Sequence, residues 1–210
     1  MRRVAFWLCV AAGVFYNSWP LGYWLDNQTA RHDLASDLEQ AGHPFYWLFV
    51  SCDIFMALLL ITAVAVLSFK RRPALKSNKV RLILVGLLMF GCFTAAAALL
   101  PAQCEVTPLF RCDAGNGWLS LDAITSSLAA LGLIISLVTL SLSSYKSGGL
   151  TRLTRIVLAA WTLSGLVFTA LALSTHDARL SQNIFMILCG VGVAVIGLNL
   201  AIESNRCEEG

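Results

Sequence analysis

Six stretches of about twenty mostly apolar residues recur along the chain, the length a helix needs to cross a hydrocarbon layer roughly 30 Å thick. They run Val4–Leu25, Phe45–Ser68, Leu82–Leu100, Trp118–Ser143, Ile156–Ser174 and Asn183–Ile202. In lipid each segment must satisfy its own backbone polar groups, which makes these spans helices rather than strands. The connections between them are too short for a soluble domain. The expected fold is therefore all-α: a polytopic membrane protein with one six-helix transmembrane bundle over residues 1–210. Only 13% of residues are charged, about half the fraction of a soluble domain, and the mean hydropathy is +0.74. Those values exclude a soluble enzyme, a disordered chain and a nucleic-acid binder.

Met1-Arg2-Arg3 ahead of an apolar run resembles the start of a signal peptide. The run is longer than a signal core, however. Asn17, Pro20 and the Trp19/Tyr23/Trp24 cluster interrupt its far end, and no small-x-small cleavage site follows. It reads as a retained helix, with a kink where Pro20 withholds an amide from the carbonyl of Tyr16.

Orientation follows from lysine and arginine placement. Arg2, Arg3, Lys70, Arg71, Arg72, Lys76, Lys79, Arg81, Lys146, Arg152, Arg155 and Arg206 fall on one side, twelve of the fifteen, and only Arg31, Arg111 and Arg179 on the other. This predicts both termini in the cytoplasm, in the cell membrane, with outer loops at 26–44, 101–117 and 175–182. Asp26, Asp33, Asp37, Glu39, Glu105, Asp113 and Asp177 are all outside, as are His32, His43 and His176. The basic inner loop at 69–81 is a topology signal with a general attraction to anionic lipid.

Seven cysteines divide by environment. Cys9, Cys52, Cys92 and Cys189 lie in spans, where a thiol behaves as a small apolar group, and Cys207 is expected to be cytoplasmic and reduced. Cys104 and Cys112 share the outer loop PAQCEVTPLFRCDAGNG. A disulfide between them is the simplest expectation outside the cytoplasm, stabilising by roughly 2–3 kcal/mol in the chain-entropy account.

Two carboxylates stand out. Asp53 lies eight residues into the second span, roughly 12 Å below its outer end, and Asp122 four residues into the fourth, roughly 6 Å down. An ionised aspartate near a span's centre costs on the order of 2.5–3.5 kcal/mol, so it faces the bundle interior or a wet cavity. Asn17 is at the depth of Asp53, and Asp122, Thr125 and Ser126 share one helical face. Ser51 is about 200° round the helix from Asp53 and faces elsewhere. Together Asn17, Asp53, Asp122, Thr125 and Ser126 predict a polar pocket open to the outer leaflet. The bland alternative makes Asp53 a protonated anchor bonded to Asn17, and puts Asp122 at headgroup level.

The first outer loop is too polar for lipid. Leu34 and Leu38, four apart, would give a short helix there an apolar edge that can lie on the bundle or in the interface, and the loop is the natural lid, with candidate contacts Ser36, Asp37 and His43. Pro44 precedes Phe45-Tyr46-Trp47, an interfacial aromatic anchor. Ser36-Asp37-Leu38, Gly42, Pro44 and Phe49 resemble the S-D-L-x-x-x-G-x-P-x-x-x-x-F stretch of the bacterial and archaeal domain-of-unknown-function 998 family. Similar wording occurs in the DRAM/Frag-type six-helix membrane proteins. The likeness covers roughly Asn17 to Ser143 and implies a six-helix membrane protein with no agreed activity. Family members often carry a histidine near the start of the fourth helix, where this chain has Asp122.

Three functions compete. A pocket at headgroup depth under an acidic lid, with no nucleophile constellation, fits a protein that binds or positions a membrane lipid or assists another, lipid-modifying membrane protein. A metal-dependent lipid hydrolase or transferase is the alternative; His32, His43 and His176 would be its zinc ligands, although no His-x-x-x-His spacing exists and no cofactor motif is present. A small transporter using Asp53 as a relay comes third, without an evident inverted repeat.

Overall fold

The computed structural model describes residues 2–25, 38, 44–70, 77–100, 121–142, 148–173 and 179–206. Among them the chain is all-helical: α1 (Arg2–Tyr16), α2 (Pro20–Leu25), α3 (Tyr46–Lys70), α4 (Asn78–Leu99), α5 (Leu121–Leu142), α6 (Gly148–Leu173) and α7 (Arg179–Arg206). Five of these, α3 to α7, are long and apolar enough to cross a membrane. That is the make-up of a multi-pass membrane protein. Their exposed faces agree, because Phe55, Leu58, Ile61, Val85, Leu131, Leu163 and Leu166 all point away from the core.

The first expected span is two helices rather than one kinked helix. Pro20 has no amide to continue α1, and the chain uses it instead as the first residue of α2, where a missing amide costs nothing. Between them the amides of Asn17 and Ser18 turn to the carbonyls of Val14 and Phe15, both at 3.1 Å. These tightened three-residue-back bonds close the α-helix at Tyr16. The remaining apolar part of α1, Arg3–Tyr16, is shorter than the other spans.

Side-chain and backbone meetings fix the register of a ring in which every neighbour is antiparallel. Phe15 on α1 meets Phe55 on α3 edge-on at 4.7 Å, and Phe49, one and a half turns towards the start of α3, lies against Gly22. On the next pair, Gly91 of α4 faces Leu60 and Ala57 of α3. Gly86 of α4 faces Gly132 and Ser136 of α5. The Arg155 guanidinium on α6 reaches the carbonyl of Ser141 near the end of α5 at 3.4 Å. Between α6 and α7, Thr154 meets Asn199, Trp161 meets Cys189 and Phe168 stacks on Phe185. The ring closes where Gly13 and Cys9 of α1 lie on Gly190 and Gly197 of α7. The core inside it is aliphatic, centred on Met56, Leu60, Ile83, Leu87, Leu133, Leu137 and Ile196.

One end of this ring is basic: the exposed Arg3, Lys79, Arg81, Arg152 and Arg155 all lie there. Asn17, Asp53 and Thr94 occupy the opposite half.

Candidate functional site at the broken first helix

Two contacts bracket the level of Asp53. Moving outward along α1 and α2 from Phe15 to Gly22 corresponds to moving from Phe55 back to Phe49 on α3. Asp53 lies between Phe49 and Phe55, and the break at Asn17–Trp19 lies between Phe15 and Gly22, so carboxylate and break share one depth. On α4, Gly91 against Ala57 puts Thr94, one turn further out, near the same level. Asp53 is 8% exposed and Thr94 6%, both buried on the inner face of their helices. Phe49 and Met56, one turn to either side of Asp53 on that face, are buried as well.

The break is held by its own side chains. Asn17 Nδ2 donates to the carbonyl of Gly13 at 2.9 Å, replacing a helical amide. The Trp19 indole N–H then donates to Asn17 Oδ1 at 3.3 Å. This pairing fixes which end of the amide is which, since a carbonyl faces the nitrogen and an N–H faces the oxygen. Asn17 Nδ2 also packs beside Gly190 of α7. Nearby, the Tyr16 hydroxyl bonds the Cys189 thiol, which also accepts the Trp161 N–H at 3.0 Å, and the Tyr16 ring stands edge-on to Phe90 at 5.3 Å. Thr94 donates back to the carbonyl of Phe90 at 2.8 Å.

Leu38, between α2 and α3, is 3% exposed, its methyl groups seated over Gly22 beside the Phe49 ring. Leu38 therefore lies on the bundle, one of the two places open to the apolar edge of the 26–44 loop. Leu38 and Phe49 are also the first and last apolar positions of the S-D-L…F stretch, and here they meet. Ser36, Asp37 and His43 lie outside the described residues, as do His32, His176, Cys104 and Cys112.

The fourth-span residues occupy another sector, because α4 stands between α3 and α5 in the ring. Asp122 is the second residue of α5, and its side chain lies outside what is described. Thr125 is half-buried and donates to the carbonyl of Leu121 at 2.9 Å, while Ser126 is exposed. Ser51 is exposed and bonds the carbonyl of Trp47 at 2.6 Å, on the far side of α3 from Asp53.

Sequence reasoning passed over several neutral polar groups. Thr94, Ser181 and Gln182 are buried in the half away from the basic end, and Ser136, Thr154 and Asn199 in the basic half. Nothing about an isolated Ser, Thr or Asn in an apolar run marks it as inward-facing, because each can bond its own helix at little cost. Among the described residues no cluster of three or more His, Cys, Asp and Glu is placed to hold a metal. No protein-family model, curated protein or solved structure matches the chain.

Proposed function

We propose that this chain is a six-span protein of the cell membrane, both termini in the cytoplasm, which binds or positions a lipid headgroup at the outer end of its bundle. The observation that carries this is the buried Asp53 at the depth where the first helix is broken. A carboxylate held inside a membrane bundle marks a binding or transfer site, and discontinuous helices are where membrane proteins recurrently hold ligands. Leu38, seated over Gly22, supports reading the first outer loop as the lid of that site. The resemblance to six-helix membrane families belongs to the same proposal and adds topology only.

The test is mass spectrometry of lipid extracted from purified full-length protein, wild type against Asp53→Asn. A stoichiometric lipid in the wild type, depleted in a variant of unchanged melting temperature, supports the reading. Equal lipid content in both overturns the role of Asp53. The broken helix also favours a second reading, a small carrier with Asp53 as its relay. Substrate-driven proton uptake into proteoliposomes, abolished in Asp53→Asn, would put that reading first.

A further inference from the structure

At the basic end of the bundle, away from Asp53, α6 is the long span least covered by its neighbours. Of its apolar stretch 17% is buried, against 39–50% for α3, α4, α5 and α7. One face packs on α7 through Thr154, Trp161 and Phe168. At the basic end it also meets α5, where Arg155 reaches the carbonyl of Ser141.

From Arg155 the same face of α6 continues through Ala159, Thr162 and Leu166, the i, i+4, i+7, i+11 spacing of one helical side. All three are exposed, Leu166 at 65%. Thr162 turns its hydroxyl back to the carbonyl of Leu158 at 2.9 Å, so the strip below Arg155 is apolar. On α5, Ile134 shares a face with Ser141, two turns away, and is half-buried. The strip is therefore an open groove along α5. Eleven residues separate Arg155 from Leu166, roughly 16 Å of helix. That is about half of a hydrocarbon layer roughly 30 Å thick, the depth of one leaflet.

The mouth of the groove is cationic. Arg152 and Arg155 are both exposed and three residues apart, so they are neighbours on the helix surface. Arg155 gives Ser141 two of its five N–H donors, both at 3.4 Å, which holds the guanidinium at the seam. A planar guanidinium held in this way suits a phosphate. A second copy docked on this face about an axis along the membrane normal would bring four arginines to one level, where like charges repel. A lipid without net charge would leave the pair uncompensated.

We propose that the groove between α5 and α6 binds an anionic phospholipid, its phosphate at Arg155 and Arg152 and one acyl chain along Ala159, Thr162 and Leu166. The site is separate from the one at Asp53 and does not depend on it.

The experiment titrates the full chain in mild detergent with phosphatidylglycerol or phosphatidylcholine, read by native mass spectrometry. One basic side chain beside an anionic headgroup is worth about five-fold in affinity, so phosphatidylglycerol should bind at least that much more tightly. Arg152→Gln should weaken it about five-fold, and Arg152→Gln/Arg155→Gln about 25-fold. Lys79→Gln/Arg81→Gln removes the same charge from α4, beyond α5, and should leave the affinity within about two-fold, since exposed charges farther off than about 8 Å are screened. Thr162→Phe, which fills the groove and spares both arginines, should also weaken binding. Equal affinity for the two lipids, or full affinity in the α6 double variant, overturns the proposal. An equal loss in the α4 variant overturns it in favour of a general attraction to the basic end. Unchanged binding in Thr162→Phe overturns the groove as the seat of the chain. A wild-type dimer that Thr162→Phe dissociates overturns the lipid in favour of a second copy. Should the double variant fail to fold, the wild-type preference and Arg152→Gln carry the test.

Discussion

Replacing Gly190 by alanine tests the close meeting of α1 and α7. A Cβ built there would stand 2.8 Å from the carbonyl oxygen of Gly13 and against Asn17 Nδ2, whereas a Cβ at Gly192, two residues on, would meet Leu137 at an ordinary 3.4 Å. To restore 3.4 Å at Gly190, α1 and α7 must separate by about 0.6 Å, along a seam that a second tight meeting, Gly197 on Cys9, also fixes. Overpacking of this kind costs about 1–3 kcal/mol. Both variants gain the same helix propensity, about 0.5–1 kcal/mol, so the difference between them isolates the packing term. In a chain of this size each kcal/mol moves the melting temperature by roughly 2–4 °C. Gly190→Ala should therefore melt about 2–12 °C below Gly192→Ala in the same detergent, followed by tryptophan fluorescence. Gly13→Ala should behave like Gly190→Ala, and the double variant should lose less than the sum, since the helices are already apart. Equal melting temperatures for Gly190→Ala and Gly192→Ala would refute the seam.

Other outcomes follow from the same contacts. Asn199 is 4% exposed and joins α7 to α6 through Thr154 at 3.3 Å; Asn199→Ala should destabilise by about 0.6–1.7 kcal/mol, the range for hydrogen bonds between membrane helices, read as steric-trapping or detergent unfolding. Leu38→Ala uncovers Gly22 and Phe49, and a lost leucine contact of this kind costs about 2–5 kcal/mol in a well-packed core. Here the loss should appear as faster protease cleavage in the 26–44 loop with little change in global melting. Cys104 and Cys112 should resist alkylation until reduced, and alkylation of both in the unreduced native protein would remove the expected disulfide. In a Cys104→Ser/Cys112→Ser background, a membrane-impermeant maleimide should label Cys207 only after cells are permeabilised. Labelling of intact cells would invert the proposed topology.

The helical spans were legible because the bilayer imposes their length and forbids their backbone any partner but itself. The helices α3 to α7 fall on five of the expected stretches, with ends moved by one to eight residues, most at the start of α6. Pro20 was legible as an interruption. That it makes a full break depends on Asn17, whose amide closes the first helix through Gly13, a role the residue type alone does not announce. Leu38 was readable from its spacing and Ser51 from its angle round the helix. The glycine seams were not, because a glycine in a membrane helix says that something approaches closely and not what. Gly13 with Gly190 and Gly86 with Gly132 are pairings of the fold. Depth set Asn17, Asp53, Thr125 and Ser126 in one expected pocket, but depth does not distinguish sectors of a ring, and Thr125 and Ser126 stand on α5.

Several polar groups in the two halves of the bundle make different kinds of bond. In the basic half they join helices: Ser136 donates across to the carbonyl of Ile83 at 2.9 Å, Asn199 to Thr154, Arg155 to Ser141. These bonds explain why such residues are buried, because each holds two helices in register. In the other half Asn17 and Thr94 bond carbonyls of their own helices, and Ser51 and Thr125, further round, do the same. Bonds of that type hold no second helix, and an apolar residue would serve the packing of those positions at least as well. Placing a half-buried Asn17 and a buried Thr94 at the depth of a carboxylate then needs a reason other than assembly of the bundle. The proposed lipid headgroup supplies one, and it would also account for a helix broken at that depth rather than continued through it.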